Sequence, residues 1–301
     1  MKYLIGIDAG GTKSELIAYD LNESPILNLV GGAGNPAVNL EKTVNNLISL
    51  IYDCVIELGR ENCRLIAIGM AGVETGNCAD LIKKYVEGAF ENRAIVLNDA
   101  EMACKAYFGN MDGILVISGT GSSCFCQKKG EGQMVGGWGH ILGDEGSGYH
   151  TVLEVFKNIV NKYDRSLPFD ELSKALLKEI GGSTRSDIMD FIYNNEKDKI
   201  ASLFPIIADY GDKGDPYAQM LLRKAGRYLA ELTEVAYKKV GFRGSVKIGL
   251  KGGVFYNSPI MLAAYKDELQ NKLSSCQIIE EDISTTKAVC NIYKDKKEGA
   301  R

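Results

Sequence analysis

The stretch that most constrains this chain is residues 4–14, Leu-Ile-Gly-Ile-Asp-Ala-Gly-Gly-Thr-Lys-Ser. Residues 3–7 form a short apolar run with branched side chains, the pattern of a buried strand. Asp8 stands where that strand ends. Gly10 and Gly11 then permit a sharp turn without a Cβ penalty. Thr12, Lys13 and Ser14 follow, and residues 15–19 read as a second strand. The stretch is therefore a hairpin whose glycine turn carries hydroxyls and a cation beside a carboxylate. Such a turn can aim backbone N–H groups at phosphate oxygens. An ordinary glycine-turn hairpin is the plain alternative. The strand-to-helix phosphate loop is excluded, because Gly-x-x-x-x-Gly-Lys-Ser/Thr is absent and no helical pattern follows. A second copy of the arrangement occurs later. Residues 113–118 read as a strand, Gly119-Thr120-Gly121-Ser122-Ser123 as a turn, and 124–127 as a strand. The echo predicts an internal duplication, with two phosphate-binding turns facing each other across one cleft.

A length of 301 residues exceeds what one core usually supports, so two domains are expected. With 45% hydrophobic and 25% charged residues, the composition is that of a globular protein. A net charge of −4 gives no electrostatic reason to expect nucleic acid or membrane partners. No apolar run reaches transmembrane length, and the N-terminus enters a strand with no signal-peptide pattern, which predicts a cytoplasmic protein. The eight cysteines lie mostly in apolar segments and include no Cys-x-x-Cys pair, so they read as reduced, buried thiols. With two histidines in the chain, a transition-metal centre is not expected.

Beyond the opening hairpin, 26–30 reads as a third strand running into the loop Gly31-Gly32-Ala33-Gly34-Asn35-Pro36. Helix 39–58, strand 64–70, helix 78–90, strand 94–97 and helix 100–107 follow. Three meander strands and then helix–strand alternation predict a mixed sheet with helices packed on it. After the second hairpin comes Gly136-Gly-Trp-Gly-His-Ile-Leu-Gly-Asp-Glu-Gly-Ser-Gly148, which holds the only tryptophan and two adjacent carboxylates. Helices are expected near 151–163, 168–180, 184–194, 196–211 and 215–240. Strand 246–250 leads into the turn Lys251-Gly252-Gly253-Val254. Helix 259–272, strand 277–279 and a last helix over 285–294, with Ser284 as its N-cap, complete the chain.

Taken together, Gly6-Ile-Asp-Ala-Gly-Gly-Thr-Lys-Ser14, Asn35-Pro36, Asn98-Asp99-Ala100, Ser118-Gly-Thr-Gly-Ser122, Gly136-Gly-Trp-Gly-His140, Gly143-Asp-Glu-Gly-Ser147, and Gly214-Asp-Pro216 with Arg223-Lys-Ala-Gly226 resemble the actin-like ATPase superfamily that includes sugar kinases. Within it, the chain resembles the BadF/BadG/BcrA/BcrD ATPase family and, most nearly, its N-acetylglucosamine kinases. The resemblance implies an α/β, duplicated actin-like (ribonuclease H-like) fold of two domains around a central cleft. The first domain would span 1–112 and be joined by the helix over 285–298. The second would span 113–284, with a helical insertion over about 151–240. The resemblance also implies ATP and Mg²⁺, phosphoryl transfer to the 6-hydroxyl of N-acetylglucosamine or N-acetylmuramic acid, and a homodimer.

The same resemblance assigns roles. Asp8 would organise Mg²⁺, through water where needed. Gly10, Gly11, Thr12 and Lys13 would contact β- and γ-phosphates, and Gly119, Thr120, Gly121 and Ser122 would hold phosphate from the second turn. Gly252 and Gly253 fall where adenosine is expected; a plain strand-to-helix turn is the alternative. Asp99 is the candidate base, able to take a hydroxyl proton as the phosphoryl group moves. Its residue-level alternative is a helix N-cap. Asn35, Gly137, Trp138, Gly139, Asp144 and Glu145, with Asp99, would form the sugar site. Trp138 could instead be core, and Asp144-Glu145 a charged surface turn. Ser123 stands where the mammalian kinases of the family carry asparagine, which leaves the identity of the amino sugar open. Two other functions fit the family or the motifs. One is an ATPase that activates a 2-hydroxyacyl-CoA dehydratase-type system, which would need cluster cysteines that Cys124-Phe-Cys126 does not supply. The other is a non-catalytic sugar or nucleotide sensor.

Overall fold

Strand β1 (Tyr3–Ala9) shows why the first sheet needs two covers. Side chains alternate along a strand. Tyr3, Ile5, Ile7 and Ala9 lie in one apolar cluster, while Leu4 lies in another. In the computed structural model, which describes residues 1–73 and 76–298, β1 pairs antiparallel with β2 (Ser14–Asp20), and β2 pairs antiparallel with β3 (Pro25–Gly31). Helix α1 (Leu40–Leu58) then crosses to β4 (Cys63–Met70), which runs parallel to β1. Helix α2 (Cys78–Phe90) leads to β5 (Ala94–Asn98), parallel to β4. Helix α3 (Asp99–Phe108) follows directly. The sheet order is β3-β2-β1-β4-β5.

The second sheet repeats this plan. It is built from β6 (Gly113–Ser118), β7 (Ser122–Lys128) and β8 (Glu131–Gly136), then β9 (Val246–Lys251) and β10 (Cys276–Ile279). Its order is β10-β9-β6-β7-β8, the first sheet's order read from the other edge. Strands β9 and β10 are parallel, as β4 and β5 are. Between β8 and β9 lie α4 (Gly148–Asp164), α5 (Glu171–Glu179), α6 (Arg185–Asn194), α7 (Lys197–Ala201), α8 (Phe204–Asp212) and α9 (Pro216–Val240). A short α10 (Gly253–Tyr256) and α11 (Pro259–Lys272) flank the β9–β10 crossover, and α12 (Ala288–Glu298) ends the chain.

The contacts divide the chain into two compact units. The first holds Met1–Leu115, Gln127–Gly132 and Ile283–Arg301, and the second Val116–Cys126 and Gln133–Asp282. In the first unit, α1 and α2 cover one sheet face through Leu47, Ile51, Ile82, Val86 and Phe90. The other face is covered by α3 and the chain end, where Met102, Ala106, Ala288, Val289 and Ile292 meet Leu4, Leu65 and Ala67. In the second unit, α9 and α11 approach so closely that a Cβ on Gly226 would lie 2.3 Å from the Met261 carbonyl oxygen.

Three expectations require correction. The single helix over 196–211 is two helices, α7 and α8, parted at Ser202–Leu203, with Pro205 in the first turn of α8. Proline has no N–H to give to the preceding turn, so the helix has to restart there. Ser284 precedes a 3₁₀ turn (Thr285–Lys287) and makes no side-chain cap; its hydroxyl bonds the Thr286 hydroxyl at 2.7 Å. The glycine turn at 252–253 continues into the short helix α10 rather than ending as a turn.

All eight cysteines are free, and Cys54, Cys63, Cys104, Cys124, Cys126 and Cys290 are buried. Burial pushes the thiols of Cys54, Cys63 and Cys126 up to about 12, so they stay protonated and unreactive at neutral pH.

Gly6 carries the tightest constraint in β1. A Cβ there would stand 2.0 Å from the Thr286 carbonyl oxygen, so this position has no room for a side chain. Gly6→Ala is expected to cost about 1–3 kcal/mol, the range for overpacking. Its melting temperature should fall by at least about 2 °C in a calorimetric scan.

Candidate active site

The parallel strands of the first sheet end together. Asp8 pairs with Gly69, and Gly69 with Leu97; one step on, Ala9 pairs with Met70 and Met70 with Asn98. Strand spacing of about 4.8 Å puts the β1 and β5 ends about 10 Å apart. In open α/β sheets, ligands bind outside the carboxyl ends of the strands. Asp8, the turn after β1, the loop after β4 and Asp99 all lie at that edge.

The first turn is closed by Gly10 N–H donating to the Lys13 carbonyl at 2.9 Å. The glycine-rich loop before α1 backs it: Gly34 N–H donates to the Gly10 carbonyl at 2.8 Å, and the Ser14 hydroxyl to the Gly32 carbonyl at 2.8 Å. A Cβ on Gly34 would lie 2.6 Å from the Ala9 Cβ, which explains that glycine. Gly11 is different. Neither Gly10 nor Gly11 has a left-handed φ, and a Cβ on Gly11 would meet nothing within 4 Å. Among the described residues, the N–H groups of Gly11 and Thr12 donate to no protein acceptor. Lys13 is exposed beside them.

The second turn is built alike. Gly119 N–H donates to the Gly121 carbonyl at 2.9 Å, and the N–H groups of Thr120 and Gly121 have no protein acceptor among the described residues. A Cβ on Gly119 would again meet open space. Three contacts from the glycine-rich loop fix the base of this turn. The buried Ser118 hydroxyl donates to the Gly146 carbonyl at 2.8 Å, and the Ser122 hydroxyl donates to the Glu145 carbonyl at 2.7 Å. Ser122 N–H donates to Asp144 Oδ1 at 3.3 Å. Asp144 is 6% exposed, so it is not a surface-turn carboxylate. Its backbone is left-handed, at φ +67°, a conformation that aspartate tolerates better than most residues. Gly252 follows β9 at φ +108°, and a Cβ there would stand 2.2 Å from the Ser118 carbonyl oxygen. Contact with β6 therefore demands this glycine on its own account. Gly253 opens α10 and is less confined, with Asn257 Nδ2 3.4 Å from its Cβ position.

Asp99 is half-buried at the first position of α3. The cap is Asn98, whose side-chain oxygen accepts from Ala100 N–H at 2.8 Å and Glu101 N–H at 3.3 Å. Capping therefore belongs to the neighbour, although Asp99 Oδ1 also accepts from Ala100 N–H at 2.8 Å. Two residues along, burial raises the Glu101 carboxyl above its ordinary value. Sequence reasoning passed over Glu101, because only packing marks it. Asn35 Oδ1 accepts from Ala37 N–H at 3.0 Å. It reaches the loop after β4, where a Cβ on Gly72 would stand 2.6 Å from it.

Trp138 is 74% exposed, which rules out a core role. Gly136, Gly137 and Gly139 around it all have left-handed φ, so the loop's path depends on them. The motif Gly214-Asp-Pro216 proves to be a helix start: Asp215 caps α9 through Ala218 N–H at 2.8 Å, and Pro216 takes its first turn. Ser147 caps α4 in the same way, accepting from His150 N–H at 3.1 Å.

The model of the BadF/BadG/BcrA/BcrD ATPase family matches residues 5–290. The chain belongs to that family. An N-acetylmuramic acid/N-acetylglucosamine kinase from Clostridium acetobutylicum is 30% identical over 287 residues, covering 93% of this chain and 94% of the relative. An N-acetyl-D-glucosamine kinase from Dictyostelium discoideum is 26% identical and covers 82% of each chain. The fold is matched by a candidate N-acetylglucosamine kinase from Chromobacterium violaceum (TM-score 0.78, 22% identity, 97% and 99% of the two chains). It is also matched by a glucokinase of the ROK family from Streptomyces griseus (TM-score 0.63, 17% identity, 99% and 100%). The duplicated sheets are thus those of the actin-like fold used by sugar kinases.

Proposed function

We propose that this chain is an ATP-dependent amino-sugar kinase acting on the 6-hydroxyl of N-acetylglucosamine, N-acetylmuramic acid or both. The observation that carries the reading is the pair of equivalent turns. Each contains a glycine, Gly11 or Gly119, that nothing in the fold requires. Each also has two successive N–H groups that no protein acceptor uses among the described residues. A turn kept bare where the protein does not fill the space is suited to a ligand that does, and successive free N–H groups suit an anion. Membership of an ATPase family supports the phosphates of ATP as that anion.

Phosphoryl transfer asks the protein for positioning and for neutralisation of charge. Gly10, Gly11, Thr12 and Lys13 contact phosphate in the first turn, and Gly119, Thr120, Gly121 and Ser122 in the second. Gly252 and Gly253 turn the chain where adenosine would lie against the backbone. Asp99 accepts the proton of the sugar 6-hydroxyl as its oxygen bonds to the γ-phosphorus. The bond from that phosphorus to the bridging oxygen breaks, and ADP leaves. Asn35, Gly137, Trp138, Gly139, Asp144 and Glu145 hold the sugar, with Asp144 also bracing the second turn. Mg²⁺ keeps several waters and takes one or two carboxylates together with substrate phosphates. Asp8 would be that carboxylate, and Mg²⁺ would neutralise phosphate charge there. Among the described residues, no helix is long and apolar enough to cross a membrane. A cytoplasmic homodimer is the setting the family likeness supports.

The test is ADP release with Mg·ATP against glucose, glucosamine, N-acetylglucosamine, N-acetylmannosamine and N-acetylmuramic acid. Turnover should require an N-acetylated sugar; release that ignores every sugar would overturn the reading in favour of an activating ATPase. With the active sugar, Asp99→Asn should lower kcat at least about 10²-fold, the scale of a general base, while both KM values change little. Near-normal turnover would remove Asp99 from the chemistry.

Gly11→Ala separates ligand from fold. Its melting temperature should stay within about 2 °C of the parent, since the added methyl meets no atom. Its KM for ATP should rise at least about tenfold, as expected for a methyl intruding on a close phosphate contact. An unchanged KM would show that the first turn does not touch the nucleotide.

A further inference from the structure

A cleft of about 510 Å³ opens in the first unit at the edge where β4 and β5 begin. Its walls come from the 3₁₀ turn Arg60–Asn62, the start of β4 and the loop from α2 to β5. Six strand steps, about 20 Å, separate Arg64 here from Met70 at the other end of β4. The cleft is therefore no part of the site at the carboxyl ends of the strands.

The choice of cation marks it. Among the described residues, the first unit holds arginine at three positions, Arg60, Arg64 and Arg93, and all three line this cleft. Lysine serves at twelve other positions in the unit, none of them in the wall. A solvated surface charge gains nothing from being arginine. The planar guanidinium fork differs from an ammonium in matching two oxygens of one phosphate or carboxylate.

The cleft is also framed. Arg60 Nε donates to the Phe90 carbonyl at 2.8 Å, Asn92 Nδ2 to the Cys63 carbonyl at 2.9 Å, and Ile66 N–H to the Arg93 carbonyl at 3.0 Å. These bonds tie the two walls together. The carboxylates of the wall are already engaged. Glu91 Oε2 lies 3.5 Å from the Arg60 guanidinium, and Glu61 Oε1 accepts from Asn62 Nδ2 at 2.9 Å. Arg64 and Arg93 are exposed, and among the described residues neither pairs with a carboxylate. Lys296 of α12 adds to the charge. Burial, and then the nearby Arg93 and Lys83, hold its ammonium below the ordinary value, while Glu87 pulls the other way. Cations thus gather here on a chain whose net charge is −4.

We propose that this cleft binds a phosphoryl group, inorganic or carried on a small organic molecule, through the guanidinium groups of Arg64 and Arg93. Two forks offer more donors than one carboxylate accepts, and a phosphate has oxygens enough for both. The proposal stands apart from the kinase reading, and its failure would leave that reading untouched.

The chain has nine arginines, and neither glycine turn of the candidate active site contains one. Arginine side-chain signals therefore report this cleft separately from the nucleotide. The full-length protein, labelled with nitrogen-15 at arginine, is titrated with sodium phosphate and with sodium chloride of equal ionic strength while the Nε–H resonances are followed by NMR. Signals lost in Arg64→Lys and in Arg93→Lys identify the two residues. Both should shift saturably and with one Kd on adding phosphate, and neither with chloride. Each lysine variant keeps the charge and loses the fork. Its Kd, read on the arginine that remains, should rise at least about tenfold, as loss of one charge-assisted hydrogen bond does. Both side chains are exposed, so the variants should fold, and unmoved signals from the other arginines check this. Signals that follow phosphate no further than chloride, or lysine variants that bind phosphate as the parent does, would overturn the site. Glycerol phosphate in place of phosphate distinguishes the source: tighter binding assigns the cleft to an organic monoester, and equal or weaker binding to inorganic phosphate.

Discussion

The contact on which the first unit depends is backbone against backbone, the Thr286 carbonyl lying over Gly6 in the middle of β1. It brings the chain end onto the sheet face that α1 and α2 leave bare. Tyr19 and Thr286 then share a buried hydrogen bond of 2.7 Å across 267 residues of sequence. With Ala288, Val289 and Ile292 seated on Leu4 and Leu65, the sheet is covered on both faces. A sheet sealed on both faces leaves its strand ends as the place where polar chemistry can meet water and ligand. Asp8, the first turn and Asp99 are found at those ends.

Much of this was legible because the signals are periodic. The alternation in β1 and the 3.6-residue spacing in α1 identify both elements without tertiary information. The repeat of a glycine-threonine turn foretold two sheets of one topology, and the matching strand orders follow from it. What failed was decided by single residues whose effect depends on neighbours. Pro205 splits a helix whose apolar spacing continues through the break. Asn98 and Asp99 are both good caps, and only the backbone at Asn98, extended at φ −60° and ψ 150°, shows which one serves. Trp138 could have been core or platform on composition; its exposure follows from the left-handed glycines 136, 137 and 139 around it and not from the tryptophan itself.

The carboxylates of the glycine-rich loop show a deeper limit. Asp144 and Glu145 are adjacent and of like charge, yet they have opposite fates. Asp144 turns under the Gly119–Ser122 turn and meets Ser122 N–H, while Glu145 turns toward Tyr228 of α9. Nothing local distinguishes them. The left-handed backbone at Asp144 sends the two side chains to different sides of the loop, and that backbone is held by bonds from Ser118 and Ser122, more than twenty residues earlier.

The glycines divide along the same line. Gly6, Gly34, Gly226 and Gly252 are required by protein atoms that stand within 3 Å of where a Cβ would be. Gly11 and Gly119 are required by none. A sequence motif presents both kinds as one run of identical letters, and the fold separates them. Gly252 is required by the protein through its conformation and the Ser118 carbonyl, whatever else lies beside it. Gly11 and Gly119 retain no such explanation. What sets them apart is their place, at equivalent positions in the two turns of one duplicated design.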